Sequence, residues 1–551
     1  MATLIESRRE QMFPKLTPAQ MRRLEPHGKR SAIHAGEVLG EVGERANMLV
    51  ILSGSIEIVR PGMSGEEPII VQTAGDFTGE MSTLRGLGSF VRLRARESGE
   101  VLSISNQDLR IVVQTDPEIS ELFMRAFILR RMGLLAQHSG DIVLIGSHRS
   151  SNMLRLEQFL TRNNTPYVEM DSDSDAGVKD LLERLHLTAS DLPVVLCRGE
   201  LVLKNPSNAE VAACLGMNLD IDESRVRDVI VIGAGPAGLA AAVYAASEGL
   251  DALVVESVAP GGQAGSSSKI ENYLGFPTGI SGLALAARAL VQAQKFGADV
   301  SVASSAVRLH CDRKPYEVDL ACGNTVRGKS IIIASGARYR PIAIQNLGDY
   351  TGVGVYYAAT HVEARLCLDQ EIIIVGGGNS AGQAAVFLAG NCRHVHLMVR
   401  ADGLADSMSR YLIRRIEENP HITLHTRTQI KALHGNGKLE QVTWRCEGKQ
   451  EDVIKPICHV FLMTGAAPNT GWLKGCVALD DKGFVRTGPD LLDGQGAPAS
   501  WTLERLPLLL ETSMPRVFAV GDVRCGSAKR VAAAVGEGSV SVQLIHRVLH
   551  E

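Results

Sequence analysis

The chain has 551 residues, a formal net charge of −4 and 55 glycines. That length implies three or four domains, and the nearly balanced charge excludes the strong basic field that bulk nucleic-acid binding needs. The first residues, MATLIESRRE, hold no apolar signal core. Ten scattered cysteines, with no C-x-x-C pair and no Cys/His cluster at metal-ligand spacing, predict free thiols in a reducing cytoplasm and no metal site.

Residues 1–139 open with a short helical segment. Alternating apolar and polar stretches follow (MLVILSGSIEIVR, PIIVQTAGDF, VRLRARESGEVLSI), with Gly turns between them, and a helical pattern then runs from Asp108 to about Gln137. This block, with its DFTGEMSTL segment, resembles a cyclic-nucleotide-binding domain. The resemblance implies a β-roll in which Gly79 and Glu80 form a ligand cassette. The family then places an Arg about ten residues on, to pair with the cyclic phosphate. Here that slot falls at Ser89 or Phe90, and Arg92, Arg94 and Arg96 lie beyond it. A register slip in a strand turns a side chain to the opposite face. Weak or no nucleotide binding is therefore expected, and a regulatory or dimerising role is the alternative.

Residues 140–217 read as strand (DIVLIGS), helix (SNMLRLEQFL), strand (YVEM), helix (VKDLLERLHL), two strands (PVVLC, ELVLK) and a short helix. With Leu192-Pro193-Val194, this order resembles a glutaredoxin/thioredoxin-like domain, with Pro193 at the family's cis-proline position. The redox C-x-x-C of that family is replaced by Ser147-His148-Arg149-Ser150. A packing or docking domain is therefore expected, since serine forms no disulfide. His148 and Arg149, at a helix N-terminus, are candidates to hold an anion. Asn218 to Arg227 reads as a linker.

The segment Asp228 to Glu256, DVIVIGAGPAGLAAAVYAASEGLDALVVE, contains an apolar run from Val229 to Ser247 long enough to suggest a membrane span. The embedded GAGPAG favours strand, turn and helix instead. Gly233 allows the tight turn, Gly235 lets the backbone approach a pyrophosphate, and Gly238 lets the helix pack on the strand. Pro236 and Ala237 open the helix, whose free N–H groups face the phosphates. The next strand ends in Glu256, placed to bind ribose hydroxyls. A second unit, EIIIVGGGNSAGQAAVFLAG, repeats the pattern with Gly376, Gly378 and Ala381, and Asn379 and Ser380 start its helix. The strand after it ends in Arg400, which suits a 2′-phosphate and favours NADPH over NADH.

Residues 226–551 resemble the low-molecular-weight thioredoxin reductases. The carrying motifs are GAGPAG, GGQAGSSSKIENYLGFPTGISG, ASGA at Ala334 to Ala337, GGGNSA, and GDVRCGSAKRVAAAVGEGS. The resemblance implies an FAD domain from 226–339 and 461–551, with an NAD(P)H domain, 340–460, inserted in it. It further implies FAD contacts from Gly262, Gln263, Asn272, Ala334, Gly336, Gly521 and Asp522, and from Arg530, Val531 and Ala532 near the isoalloxazine. The family's C-x-x-C is absent, since the corresponding stretch near Tyr357 to Thr360 holds no cysteine and Cys367 stands alone. The family's basic pair after the second strand is also reduced, to Arg400, Ala401 and Ala405.

The expectation is thus a multidomain α/β protein: an N-terminal β-roll, a thioredoxin-like domain and two Rossmann-like domains for FAD and NAD(P)H. Its activity would be hydride transfer from NADPH (NADH possible) to FAD and on to an unidentified acceptor. It would be flavin-centred, with no catalytic residue of its own, and regulated by the N-terminal domain. A homodimer, a cytoplasmic location and no membrane span are expected. The alternative is a redox or nucleotide sensor or scaffold that binds FAD and turns over slowly.

Overall fold

A computed structural model describes residues 9–62, 65–79, 83–84, 89, 91–136, 142–175, 177–197, 201–218, 221–405, 408–492 and 501–551. Near the N-terminus, strands Lys29–Ile33, Val38–Gly40, Met48–Gly62, Gly65–Thr73 and Arg92–Ile104 form a five-stranded antiparallel roll. Alternate residues point inward, so Met48, Val50, Leu102 and Ile104 meet Phe123 and Phe127 of the helix Pro117–Ala136. The single helix expected after Asp108 is two, Asn106–Thr115 and Pro117–Ala136. Pro117 disfavours helical backbone at the residue before it, and Asp116 is extended at φ −114, ψ 99.

The next unit is a four-stranded sheet in the order Val168–Asp171, Ile142–Gly146, Val194–Cys197, Leu201–Lys204. The first pair is parallel and the others antiparallel, and the Leu192–Pro193 peptide is cis. Helix Ser151–Arg162 is amphipathic. Its Met153, Leu156, Phe159 and Leu160 enter one continuous core with the first dinucleotide unit, while Leu154 enters the core of the second. This unit is therefore wedged against both dinucleotide units.

The first dinucleotide unit has a seven-stranded sheet. Strands Asp299–Val302, Ala252–Glu256, Val226–Ile232 and Thr325–Ile333 run parallel. The last of these is long enough to serve two neighbours on one edge: Tyr316–Leu320 pairs with its start and Val517–Ala519 with its end. The apolar run from Val229 to Ser247 resolves into a strand ending at Ile232 and a helix Pro236–Ser247. Among the described residues no helix is long and apolar enough to cross a membrane. Strand Val226–Ile232 takes up the end of the expected linker. The second unit has a five-stranded, all-parallel sheet, ordered Val355–Tyr356, Val460–Leu462, Glu371–Val375, His394–Met398, Ile422–His425. Where the chain crosses between the units, Ala337–Tyr339 pairs with Ala466–Pro468.

The expectation of free thiols throughout is corrected. Cys197 bonds Cys214 inside the small four-stranded unit, and Cys311 bonds Cys476, joining a hairpin end to the returning chain. Neither pair is close in sequence, so only the fold brings the sulfurs together. Cys367 is buried with Cys392 as neighbour, and its Sγ–H donates to the Glu363 carbonyl at 3.2 Å. The Cys392 contact, and then burial, push the Cys367 thiol up, away from the thiolate.

Candidate active site at the dinucleotide cleft

The three glycines of the first turn do different work. Gly233 has φ +107, and a Cβ there would lie 2.4 Å from the Ala334 carbonyl oxygen. A Cβ on Gly238 would lie 1.8 Å from the Gly233 oxygen, so this position sets helix-to-strand packing. At Gly235 the only heavy atom near such a Cβ is Gly262 Cα, at 3.9 Å. The space in front of Gly235 is therefore open, as a dinucleotide's pyrophosphate requires. In the second turn Gly376 has φ +147, and an added Cβ would strike the Met463 oxygen at 2.4 Å. At Gly378 it would meet nothing within 4 Å.

A cavity of about 850 Å³ lies across both turns, within the range of small-molecule and cofactor sites. From the first turn and its surroundings, Gly233, Gly235, Pro236, Ala237, Glu256, Gly262, Gln263 and Asn272 line it. Ala334 and Gly336 contribute from the neighbouring strand end, and Gly521, Asp522, Arg530, Val531 and Ala532 from the C-terminal segment. Asn379 and Ser380 reach it from the second turn. Gly238, Gly376, Gly378, Ala381 and Arg400 do not line it. Arg400 is exposed just beyond strand His394–Met398.

Glu256 is 6 % exposed. One carboxylate oxygen accepts the Ala234 N–H at 2.7 Å, and the other accepts those of Val258 at 2.8 Å and Ala259 at 3.2 Å. It thus clamps the glycine turn as well as facing the cavity. Burial raises Asp522 above the usual carboxylate range, while the Lys529 ammonium acts in the opposite sense. Such a carboxyl, held in a partly dry pocket, is suited to hydrogen-bonding neutral hydroxyls. Tyr356, Tyr357 and Ala358 line the cavity near the expected dithiol position. The Tyr356 hydroxyl lies 3.3 Å from His459 Nδ1, and burial lowers His459 to about 4, which keeps it neutral. No cysteine lines the cavity.

The small four-stranded unit also reaches the cavity, through Ser151, Leu154, Arg155, Gln158 and Arg162. Sequence reasoning recognised this helix but missed its role. In sequence Ser151, Arg155, Gln158 and Arg162 form only a polar stripe at helical spacing opposite the apolar face, which by itself does not point to a cofactor cleft. Gln158 donates to Glu363 Oε1 at 2.6 Å. Arg365 of the second dinucleotide unit pairs with Glu157 at 3.2 Å and Glu169 at 3.3 Å. His148 is corrected as an anion-holding candidate, because its Nδ1 faces Glu169 at 2.8 Å and Glu157 at 3.6 Å. Burial, then the Glu169 carboxylate, push Glu157 up to about 8.

In the β-roll, Gly79 has φ +97 and its carbonyl accepts from Arg130 Nη1 at 2.7 Å. Glu80 lies outside the described residues. Ser89, one of the two positions expected for the phosphate-binding Arg, donates to the Val91 carbonyl at 2.8 Å, and the other, Phe90, lies outside the described residues. Arg92 pairs with Glu41 at 2.9 Å and with Glu66, and Arg94 pairs with Glu57 at 2.6 Å and Glu66 at 2.9 Å.

Two sheets, one with a parallel core and one all-parallel, each with a glycine turn at one shared cleft, define a flavoprotein oxidoreductase of the two-dinucleotide class. The open approach at Gly235, the helix N-terminus behind it and the Asp522 carboxyl on the cavity wall fit FAD. Residues 227–538 match the pyridine nucleotide-disulphide oxidoreductase family, and residues 30–116 match the cyclic nucleotide-binding domain family. A thioredoxin reductase of Mycolicibacterium smegmatis is 33 % identical over 314 residues, covering 57 % of this chain and 93 % of that protein. One of Listeria monocytogenes is 29 % identical over 332 residues, covering 60 % and 96 %. The crystal structure of Lactococcus lactis thioredoxin reductase superposes with a TM-score of 0.52 at 26 % identity, over 59 % of this chain and all of that one. The chain belongs to the pyridine nucleotide-disulphide oxidoreductase family, as a thioredoxin-reductase-like enzyme whose cofactors are FAD and NADPH, with NADH possible.

Proposed function

We propose that this enzyme passes electrons from NADPH through FAD directly to an external acceptor, with no thiol relay. The observation that carries the proposal is a cleft lined by Tyr356, Tyr357 and Ala358 where a dithiol is expected, with no cysteine on its wall. Disulfide exchange needs an attacking and a resolving sulfur. Cys367 is buried beside Cys392, and Cys525 sits against Asp480 in the other dinucleotide unit, so the two do not form such a pair. When bound, the flavin supplies hydride acceptance and onward electron transfer. The chain's part is to hold both dinucleotides in one cleft and to keep it partly dry. Gly235 and the following helix N-terminus would hold the FAD pyrophosphate. Glu256 would bind ribose, Asp522 the flavin side chain, and Arg400 the 2′-phosphate of NADPH.

This reading keeps the limits 1–139, 140–217, 226–339 with 461–551, and 340–460 for the four domains, the third being the FAD domain and the fourth the NAD(P)H domain. It also keeps a homodimer and a cytoplasmic location by family resemblance. The sheet order and the cis Pro193 support a thioredoxin-like second domain, and Ser147 and Ser150 in place of cysteines support a docking role for it. Steady-state NADPH oxidation with a quinone, a one-electron protein acceptor and thioredoxin tests the proposal. Turnover with the first two and negligible thioredoxin reduction are expected, unchanged when Cys367 and Cys525 are replaced by Ser. Thioredoxin reduction that disappears in that double variant would overturn the direct route.

A slow-turnover sensor is favoured by one observation, the second domain's ties to both dinucleotide units through Asn163–Val258, Gln158–Glu363 and Arg365–Glu157. Turnover below one per minute with every acceptor would favour that reading.

A further inference from the structure

Arg162 ends the helix Ser151–Arg162 and lies on the cavity wall beside the first glycine turn. Its Nη2 donates to the Gly262 carbonyl at 3.0 Å. Gly262 is in turn packed on Gly235: a Cβ built on it would lie 3.0 Å from Gly235 Cα. The guanidinium is therefore held next to the N-terminus of helix Pro236–Ser247, where the pyrophosphate of a dinucleotide would approach. Its Nε is buried and has no hydrogen-bond partner. The nearest acids do not serve it. Glu256 is committed to three backbone N–H groups, and Glu363 to Thr360 and Gln158. Arg155, on the same helix face, is satisfied by Asn208 at 2.6 Å and the Pro206 carbonyl at 2.7 Å. Arg162 thus differs from its neighbour in keeping an unmet donor at a cavity.

An arginine keeps its charge in proteins, and Arg162, half-buried with its Nε out of water and no anion in contact, bears part of the cost of a cation removed from solvent. Burial acts against the charge of Arg162, with Glu256 and Glu363 offsetting part of it from a distance. An anion delivered into the cavity would remove the cost, and a diphosphate matches the planar fork of the guanidinium.

We propose that Arg162 of the small second domain is a ligand of the FAD diphosphate, so that the flavin site is completed only when that domain is docked. The proposal rests on the FAD reading of the cleft. It gives the domain a task that needs no cysteines: closing the phosphate end of the cofactor site. The next residue, Asn163, anchors the arrangement through Nδ2 to the Val258 carbonyl at 3.1 Å. Because one segment makes both the docking contact and the phosphate contact, cofactor binding and docking reinforce each other.

The test is titration of the full-length apoprotein with FAD and with riboflavin, which has no phosphate, followed by flavin fluorescence. The variants are Arg162→Gln, Arg162→Lys and Asn163→Ala. Arg162→Gln is expected to raise the FAD Kd roughly ten- to hundredfold, the loss of one charged hydrogen-bonding partner. Riboflavin affinity should not change. Arg162→Lys should recover part of the FAD affinity, and Asn163→Ala, which removes one docking contact but keeps the charge, should weaken FAD by a smaller factor than Arg162→Gln and leave riboflavin unchanged. An unchanged FAD Kd in Arg162→Gln overturns the proposal. So does an equal loss for FAD and riboflavin, because it assigns Arg162 to packing alone. A wild-type protein that binds no FAD instead overturns the flavin reading itself.

Discussion

The turns Gly233–Gly238 and Gly376–Ala381 each carry an apolar parallel strand into a helix, and each needs a left-handed first glycine. Their surroundings differ. The first turn is clamped from below by Glu256 and covered from the side by the second domain, through Arg162 and Asn163. At the second turn the strand that follows the helix leads out to Arg400 at the surface, where the corresponding strand of the first unit ends in Glu256. A turn enclosed in this way suits a cofactor that stays bound, and an open one suits a dinucleotide that exchanges on every cycle.

Substitutions at the glycines should break this comparison most sharply. Gly235→Val should abolish FAD retention while leaving the fold intact, because the added atoms enter open cavity space. Gly238→Ala should instead lower stability by about 1–3 kcal/mol or more, because its Cβ meets backbone that cannot yield. Gly378→Ala should do neither and should only weaken NADPH. Absorbance of the purified protein, thermal unfolding and NADPH KM separate the three outcomes. Full FAD occupancy in Gly235→Val would remove the basis for the first turn's assignment.

A smaller effect is expected at Arg400. Arg400→Glu replaces a phosphate partner with a like charge and should raise the NADPH KM roughly tenfold with little change for NADH. Equal kcat/KM for both nucleotides in the wild type would show that the exposed strand end does not select.

The contact between the second domain and the cleft should also respond to pH. Glu157 is held protonated, with its value raised from 4.5 to about 8 by burial and by Glu169. A carboxyl raised on folding contributes stability that is full below its unfolded value. That contribution falls as pH rises between the two values and is gone above the folded one. The wild-type melting temperature should therefore carry a declining component from about pH 4.5 to about pH 8. Glu157→Gln should flatten that component and be relatively more stable at pH 8. Parallel profiles for the two proteins would count against it.

The smallest effect is expected in the β-roll. Cyclic AMP or GMP should bind weakly or not at all, because the resemblance puts the phosphate-binding Arg at Ser89 or Phe90, neither of them basic, and Arg92 and Arg94 are paired with Glu41, Glu57 and Glu66. Micromolar or tighter binding by calorimetry would show that one of these pairs opens for a ligand.

Local chemistry made much of the molecule legible. The packing of Gly238 against Gly233 lies within one turn, and the glycine motif implied it together with the positive φ at Gly233 and the openness at Gly235, although Ala334 and Gly262, which bound those two positions, are distant in sequence. The strands that flank both turns were readable from apolar runs of the right length. Four features lay outside that reading, all but one of them resting on residues far apart in the chain. The Cys197–Cys214 and Cys311–Cys476 pairs, the His148–Glu157–Glu169–Arg365 contacts and the break at Asp116–Pro117 overturned or refined the sequence reading. Of these only the break had a local signal, in the proline. The fourth, the placement of Arg162 beside Gly262, could not be read locally. The stripe Ser151, Arg155, Gln158, Arg162 looks in sequence like an ordinary solvated helix face. It becomes part of a cofactor site only because the opposite, apolar face is buried between two dinucleotide units and turns the stripe toward the cleft.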